Sequence, residues 1–474
     1  HVNDIFKKVV GRDGISFYYD IPSDIALYGM LVLSSNNKAV ENITLELPNI
    51  SSVEEGTNGS TLFHPDSSNQ QVDLSYFVKD KKYQFVKSNE VYFTFLADRL
   101  AESNEQWGLI SARLGKKSNI NTFMPVLDAL SSDMSSIMRM PSAQDAFESA
   151  KKQFQAQHNL VKALFTYVTV YEENIHLIQE LKGKIDKLKE EVLVINEQLS
   201  KYDDLDDNLL KLIERKNSIE SKLIGLNSKR SIIDKIWSAT NWSILEAMSN
   251  AALLSVIEDE TTKLQNVKGE LDALHQLVNE RESIINTKDG LLADIKGLDN
   301  TLQKIEETQQ DILGILKTDN KDTIHCFDDI VSNLMSLHED RAEAHTAFLY
   351  MCNYLNECRE RLLYDALQLQ KAVVVSDAFR KNMQLLSQYW GSLNDRKNLQ
   401  KNFDLDAIFP ALLNSLMIAV PVISSTFAAV ERFLINCKSE SSLGTIIIDE
   451  AGQASPHMLV GALFRAQKAI VVDR

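Results

Sequence analysis

Apolar residues that recur every three and four positions through charged stretches leave a chain few ways to fold, because each stripe must be covered by another. Ile178, Leu181, Ile185, Leu188, Val192, Ile195, Leu199 and Tyr202 keep this spacing, with Lys, Glu and Asp filling much of the remainder. The pattern returns as Leu264, Val267, Leu271, Leu274, Val278, Ile285, Leu292 and Ile295 and continues towards Leu316. Between the two, residues 231–256 are less charged and carry Trp237 and Trp242. Stripes joined in this way predict two long helices running out and back, an antiparallel coiled-coil arm over residues 141–318 with its tip near Trp237 to Ala251. At about 1.5 Å per residue, a helix of roughly sixty residues reaches on the order of 90 Å. Asp203-Asp204-Leu205-Asp206-Asp207 interrupts the first stripe and predicts a bend or a change of register. On its own the arm is equally a rigid spacer or a surface for a protein partner, a second copy of the chain or a nucleic acid. Its tryptophans are equally tip contacts or the closure of the hairpin core, since aromatic residues at a helical turn are more often packed than exposed.

The second constraint is Thr445-Ile446-Ile447-Ile448-Asp449-Glu450. Four β-branched residues suit a strand buried on both faces of a parallel sheet. The acidic pair then emerges at the carboxyl edge, where open α/β sheets bind ligands. Ser455-Pro456 follows as a helix start, with Ser as N-cap and Pro at the first helical position. In nucleotide sites of this form the first carboxylate holds Mg²⁺, usually through water, and the second orients the water that attacks the terminal phosphate. A bare Asp-Glu after an apolar strand is more often a solvated strand end, so the surrounding residues decide.

Asp449-Glu450-Ala451-Gly452-Gln453-Ala454 resembles motif II of superfamily 1 helicases, in the branch of Upf-like and Dna-like nucleic-acid translocases. Residues 29–43, a strand, a Ser/Asn-rich turn and a helix start, resemble motif Ia of that branch. Residues 421–430 resemble its next strand-and-turn motif, and residues 460–472 the helix and strand leading into motif III. Residues 107–115 are similar to a segment of bacterial members. The resemblance implies that Asp449 holds Mg²⁺, that Glu450 acts on the water, and that Gln453 senses the γ-phosphate of ATP and couples it to a nucleic-acid groove. It also implies that Ser34, Ser35, Asn36, Asn37, Ser424, Ser425 and Thr426 grip phosphate oxygens of single-stranded DNA or RNA without reading bases. By residue type alone, these seven are equally turn and cap residues, which Ser and Asn favour for their own backbone hydrogen bonds.

The departures from that family are as specific. No Gly-x-x-x-x-Gly-Lys-Ser/Thr occurs in the 474 residues, so the loop that cradles phosphates is absent from them. Residues 1–10 read like the helix that follows such a loop. Val472-Asp473-Arg474 stands where relatives read Gly-Asp-Pro, and only Asp473 fits. The second motor domain, with the arginines that complete the ATP site, is not within these residues either. The expectation is an internal piece of a larger motor that does not hydrolyse ATP by itself.

Composition agrees with a soluble, mostly helical, cytoplasmic protein, with 24% charged residues, 17 Gly and 8 Pro. A net charge of −16 excludes a uniformly basic nucleic-acid binder and leaves local, salt-dependent contacts. Cys326, Cys352, Cys358 and Cys437 form no Cys-x-x-Cys pair and read as reduced thiols. His338, His345 and Cys352 fall seven apart and can share a helix face, but they lack a fourth ligand and metal-type spacing, which favours ordinary helix packing. Residues 407–430 carry no charge and are long enough to cross a bilayer. Two prolines, Asn414 and a Ser-Ser-Thr run interrupt them, predicting instead a short helix leading into a buried strand over 420–425, and no membrane partner.

The expected fold is an α/β RecA-like parallel sheet, split in sequence and interrupted by a large all-α antiparallel coiled-coil insertion. Residues 1–50 form the first part of the motor domain and 406–474 the second, meeting in one sheet. Residues 51–140 form a loop-rich and helical insertion, with a loop or β-hairpin excursion over 51–90 and an amphipathic helix over 92–114. Residues 141–318 form the arm and 319–405 a helical return. Two rivals remain. SMC-type ATPases also place a long hairpin coil between nucleotide motifs, but need Leu-Ser-Gly-Gly before the Asp-Glu, which this chain lacks. A catalytically degenerate motor would leave the coiled coil as a scaffold.

Overall fold

In a computed structural model, residues 2–54, 69–72, 84–87, 90–103, 105–137, 142–238, 243–316 and 353–472 are described. They divide into one compact unit of His1–Val168 with Leu316–Arg474 and a second of Thr169–Ile315. His338, His345, Cys326, Cys352 and Asp473 lie outside the described residues, as do the side chains of Trp237 and Trp242.

The first unit is organised by a parallel sheet whose central strand is β3 (Met30–Ser34). Leu31, Val32 and Leu33 are all buried, as a strand covered on both faces requires. On one side β3 pairs with β7 (Val422–Thr426) and on the other with β8 (Leu443–Ile448). β6 (Ser111–Arg113) lies beyond β7, and β9 (Ala466–Val471) beyond β8, giving the order β6-β7-β3-β8-β9. Residues from the two ends of the sequence thus meet in one sheet, and helices Asn37–Glu46, Phe427–Phe433 and Pro456–Arg465 follow β3, β7 and β8 as parallel pairing demands.

The uncharged stretch 407–430 is core. Helix Leu405–Ala419 starts at Asp404, whose side chain accepts from the Asp406 amide, and nearly every residue of it is buried. At fifteen residues it is longer than the short helix expected. It stops because Val420 precedes Pro421, a position that disfavours helical backbone; Val420 sits at φ −127°, ψ 81°. No helix among the described residues is long and apolar enough to cross a membrane.

Two expected helices are replaced. Residues 1–10 form a single 3₁₀ turn, Val2–Ile5, then β1 (Lys7–Val10), which pairs antiparallel with β2 (Phe17–Asp20). Val and aromatic side chains suit such a pair, and Gly14 at φ +69° serves the turn. Within 92–114 only Thr94–Ala101 is helical; β6 then takes Ser111–Arg113 into the sheet. The hairpin expected in 51–90 has its counterpart in β4 (Asn69–Val72), antiparallel to β5 (Gln84–Lys87).

One buried ion pair ties this insertion down. The Lys371 ammonium donates to both the carboxylate and the carbonyl oxygen of Glu90, with both side chains almost wholly enclosed. Glu90 Oε1 also accepts from the Thr94 amide at 2.7 Å, at the start of helix Thr94–Ala101.

The second unit is the arm. Helices Ala143–Leu199, Leu205–Trp237 and Ser243–Leu316 form its strands, the last antiparallel to the first two. The compact unit begins at Thr169, not at 141, because Phe147 packs into the core of the first unit. Ion pairs fix the antiparallel sense: Lys182–Glu306 at 3.0 Å, Arg281–Asp206 at 2.8 Å and Lys222–Glu260 at 2.6 Å. Lys182–Glu306 is exposed on both sides, and such a pair contributes under about 1 kcal/mol, whereas Glu260 is buried beneath Lys222. Ile219, Leu223, Val267 and Leu271 form a continuous buried cluster between the strands.

The expected interruption at 203–207 is a break: Ser200–Tyr202 is 3₁₀, and a new α-helix starts at Leu205. The inward-facing positions here run Leu199, Tyr202, Leu205, two successive steps of three. On the return helix the same double step occurs as Val278, Arg281, Ile284. The seam therefore continues through Ile284 and Leu291 rather than the expected Ile285 and Leu292, which are 37% and 42% exposed. A three-residue insertion overwinds a coiled coil. The outgoing strand absorbs it in a 3₁₀ turn of about three residues per turn, and Arg281 occupies the matching seam position, held by Asp206.

Removing one member of the Lys371–Glu90 pair strands a buried charge. Lys371→Met is expected to lower unfolding free energy by about 3–5 kcal/mol, and Lys371→Met with Glu90→Gln to recover much of it, in urea titrations of the full chain.

Candidate functional site at the carboxyl edge of the sheet

β3, β7 and β8 end together. Ser34 is opposite Thr426 and Leu33 opposite Ile448, so the first residue beyond β8, Asp449, lies beside the end of β3. The Asp449 amide donates to the Leu33 carbonyl at 2.8 Å, continuing the ladder by one rung. On the other flank the Val472 amide donates to Ile448 O at 2.8 Å, and the Ala451 amide to Val472 O at 3.0 Å. The acidic pair is thus clamped from both neighbouring strands, with Asp449 and Glu450 half-buried.

Glu450 turns the chain in a left-handed conformation, φ 52°, ψ 48°. That costs an L-residue roughly 1–2 kcal/mol. Its Oε2 is buried without a hydrogen-bond partner, an exceptional condition for a carboxylate oxygen. The 3₁₀ turn Ala451–Gln453 then carries the chain back towards β3, where Ser35 Oγ donates to Gln453 Oε1 at 3.2 Å. Residues far apart in sequence are joined here by that bond, with the two carboxylates beside it. Helix Pro456–Arg465 starts as expected, with Ser455 as N-cap and Pro456 in its first turn.

The Ser and Asn residues divide. Ser35, Asn36 and Asn37 are exposed at the edge. Asn36 is a cap, its Oδ1 accepting from the Lys38 amide at 2.8 Å, and Ser34 is fully buried with Oγ accepting from the Asn36 amide at 3.2 Å. Ser424 and Ser425 are also fully buried, and Thr426 is 8% exposed. Ser424 Oγ meets Thr44 Oγ1 at 2.9 Å and donates to Val40 O at 3.2 Å, which ties β7 to helix Asn37–Glu46. Ser425 is sealed by Gly115, where φ is +101° and an added Cβ would lie 2.2 Å from Ser425 Oγ. Ser34, Ser424, Ser425 and Thr426 are therefore packing residues in this conformation, because the strand ends that carry them are covered by the flanking helix and by the β6 turn.

That turn supplies a group the sequence reading passed over. Lys116 Nζ donates to Asn37 Oδ1 at 3.0 Å, joining the turn after β6 to the turn after β3. Lys38, Lys116 and Lys117 are all exposed there. The signal was two lysines directly after a glycine at a strand end. In the sheet order, these cationic groups lie on the β7–β6 side of β3, and the carboxylates on the β8 side.

No group of three or more His, Cys, Asp or Glu able to hold a metal ion occurs among the described residues. Mg²⁺ does not need one, since it keeps several waters and is held by one or two carboxylates together with substrate phosphates. Asp449 and the unpartnered oxygen of Glu450 match that donor set. Comparisons with protein-family models, curated proteins and solved structures found no match for this chain.

The strain at position 450 is measurable. Glu450→Gly frees the left-handed backbone and removes the unpaired carboxylate, so it is expected to raise the unfolding free energy by about 1 kcal/mol, against the usual direction for a residue at a structured turn. Chemical denaturation beside Glu450→Ala, which keeps the backbone penalty, separates the two contributions.

Proposed function

We propose that this chain carries the split core of a RecA-like first motor domain of a superfamily 1 type, whose parent protein couples ATP hydrolysis to movement on single-stranded DNA or RNA. The observation that carries the reading is the junction of β3 with β8: Asp449 and Glu450 leave the strand beside the Ser35–Gln453 hydrogen bond. A group that senses a terminal phosphate is useful only if it also touches the groove where nucleic acid lies, and Gln453 reaches the β3 turn. In this role Asp449 holds Mg²⁺, which supplies charge neutralisation on phosphate oxygens. Glu450 Oε2, free of protein partners, would accept a hydrogen bond from a water and take its proton as the water oxygen bonds to the γ-phosphorus of ATP, the bond from that phosphorus to the bridging oxygen breaking and ADP leaving. Gln453 passes the change at the phosphate to Ser35 and the exposed Asn36–Asn37 turn.

Nucleic-acid phosphates then lie along the β3–β6 side. Lys116, Lys117 and Lys38 provide the local positive charge that a chain of net charge −16 must concentrate somewhere in order to bind a polyanion. The arm is read as the contact for a protein partner, a second copy or the nucleic acid, and the protein as cytoplasmic.

The test is ATP hydrolysis by the complete gene product with and without single-stranded DNA or RNA. Glu450→Gln is expected to abolish turnover while ATP binding persists; retained turnover removes the assignment. Lys116→Ala is expected to weaken nucleic-acid binding alike for all sequences and to reduce the slope of log affinity against log salt by about 1, in fluorescence-anisotropy titrations. An unchanged slope moves the phosphate path away from β6.

A further inference from the structure

The opposite, amino edge of the sheet holds two cavities that adjoin along one helix. The first, about 450 Å³, is apolar, with Ile5, Phe147, Leu369, Met417 and Ile418 in its wall. The second, about 530 Å³, is the more polar of the two, with Lys7, Asp20, Asp406, Ser442 and Gln467 among its lining residues. Helix Leu405–Ala419 runs past both. Ala407, Pro410, Ala411 and Asn414, at helical spacing, line the polar cavity, and Asn414, Met417 and Ile418 line the apolar one. Asn414 belongs to both walls. Each volume is within the range of about 300–1,000 Å³ usual for small-molecule sites.

Two oxygens of residues lining this second cavity have no hydrogen-bond partner. Asn414 is 8% exposed; its Nδ2 donates to Ser442 O at 3.0 Å, and its Oδ1 is buried with no partner. Ser442 Oγ is likewise buried without a partner. Pro410 has no N–H to give to the Asp406 carbonyl four residues earlier in the helix. The Asp406 carboxylate is already taken, by Asn436 at 2.8 Å and Lys438 at 2.8 Å. Asp20, whose Oδ1 accepts from the Ile21 amide, also lines this cavity, opposite Lys7 in the β1–β2 pair. Two orphaned buried oxygens in one wall are uncommon in a native fold and call for a donor.

We propose that this edge is a second ligand site, separate from the Asp449–Glu450 edge, and that it binds a primary ammonium carried on an apolar or aromatic body. The ammonium has three donors, which Asn414 Oδ1, Ser442 Oγ and Asp20 accept; the body fills the apolar cavity beyond Asn414. Two sources offer this chemistry, a simple amine and an apolar amino acid, and they differ in whether a carboxylate is present to meet Lys7.

Isothermal titration of the full chain with 2-phenylethylamine tests the site, beside its N,N,N-trimethyl counterpart, which keeps the charge and loses every N–H. The amine is expected to bind saturably and at least about tenfold more tightly than the trimethyl compound, and to lose that margin in Asn414→Leu. Should Asn414→Leu fail to fold, Asp20→Asn and Ala407→Phe, both at exposed positions, are expected to weaken binding by a similar factor with an unchanged urea midpoint. L-phenylalanine distinguishes the sources: tighter binding than the amine, lost in Lys7→Met, assigns an amino acid, and weaker binding assigns a simple amine. No saturable heat with either amine or L-phenylalanine, equal affinity for the trimethyl compound, or undiminished binding in the variants overturns the proposal. The two orphaned oxygens would then be satisfied within the protein, by rotation of the Ser442 hydroxyl onto Asn414.

Discussion

Everything in the first unit depends on the parallel pairing of β3 with β7 and β8. Parallel strands cannot be joined by a tight turn, so the chain must leave the sheet after Ser34, re-enter it at β6, and leave again after Arg113 before returning at Val422. What it does between is unconstrained by the sheet, provided that it comes back. The closure entropy of such an excursion grows only with the logarithm of its length, roughly 0.6 kcal/mol per doubling. An antiparallel hairpin lowers it further, because Lys182 stands beside Glu306 and the residues between them need no separate ordering of their ends. A large helical insertion is therefore compatible with a small sheet, and the sheet in turn fixes where the strand ends lie.

One of those strand ends carries two costs of the fold at a single residue. Glu450 adopts a left-handed turn and leaves a carboxylate oxygen unpaired, while Ser34, Ser424 and Ser425, which look equally polar, are fully bonded into the packing. Stored strain and unmet hydrogen bonds are what ligand-facing groups have in common, and stability alone would remove them. The contrast separates Glu450 from its polar neighbours on physical grounds, without any appeal to resemblance.

Much of this was legible beforehand. Isoleucines ending in Asp-Glu suited a buried parallel strand, and the three-four spacing of Leu and Ile suited a helical seam. What escaped was decided by neighbours. Lys7–Val10 fell inside an expected helix, although Val9, Val10, Tyr18 and Tyr19 favour the strands they form. Ile284 and Ile285 are identical side chains, and the choice between them depends on a double three-residue step visible only when both strands are aligned. Ser424 and Ser425 needed helix Asn37–Glu46 and Gly115 in place before their burial could be known.

That double step leaves the two rails of the arm unequal. At the level of Tyr202 and Arg281 one rail is an unbroken α-helix, and the other is interrupted by 3₁₀ turn and loop. A beam with one continuous and one jointed rail resists compression along its length through the continuous side, while its easy direction of bending is the one that opens the joint. The Asp206–Arg281 contact spans that joint, so the two rails remain tied at the one level where their helices differ.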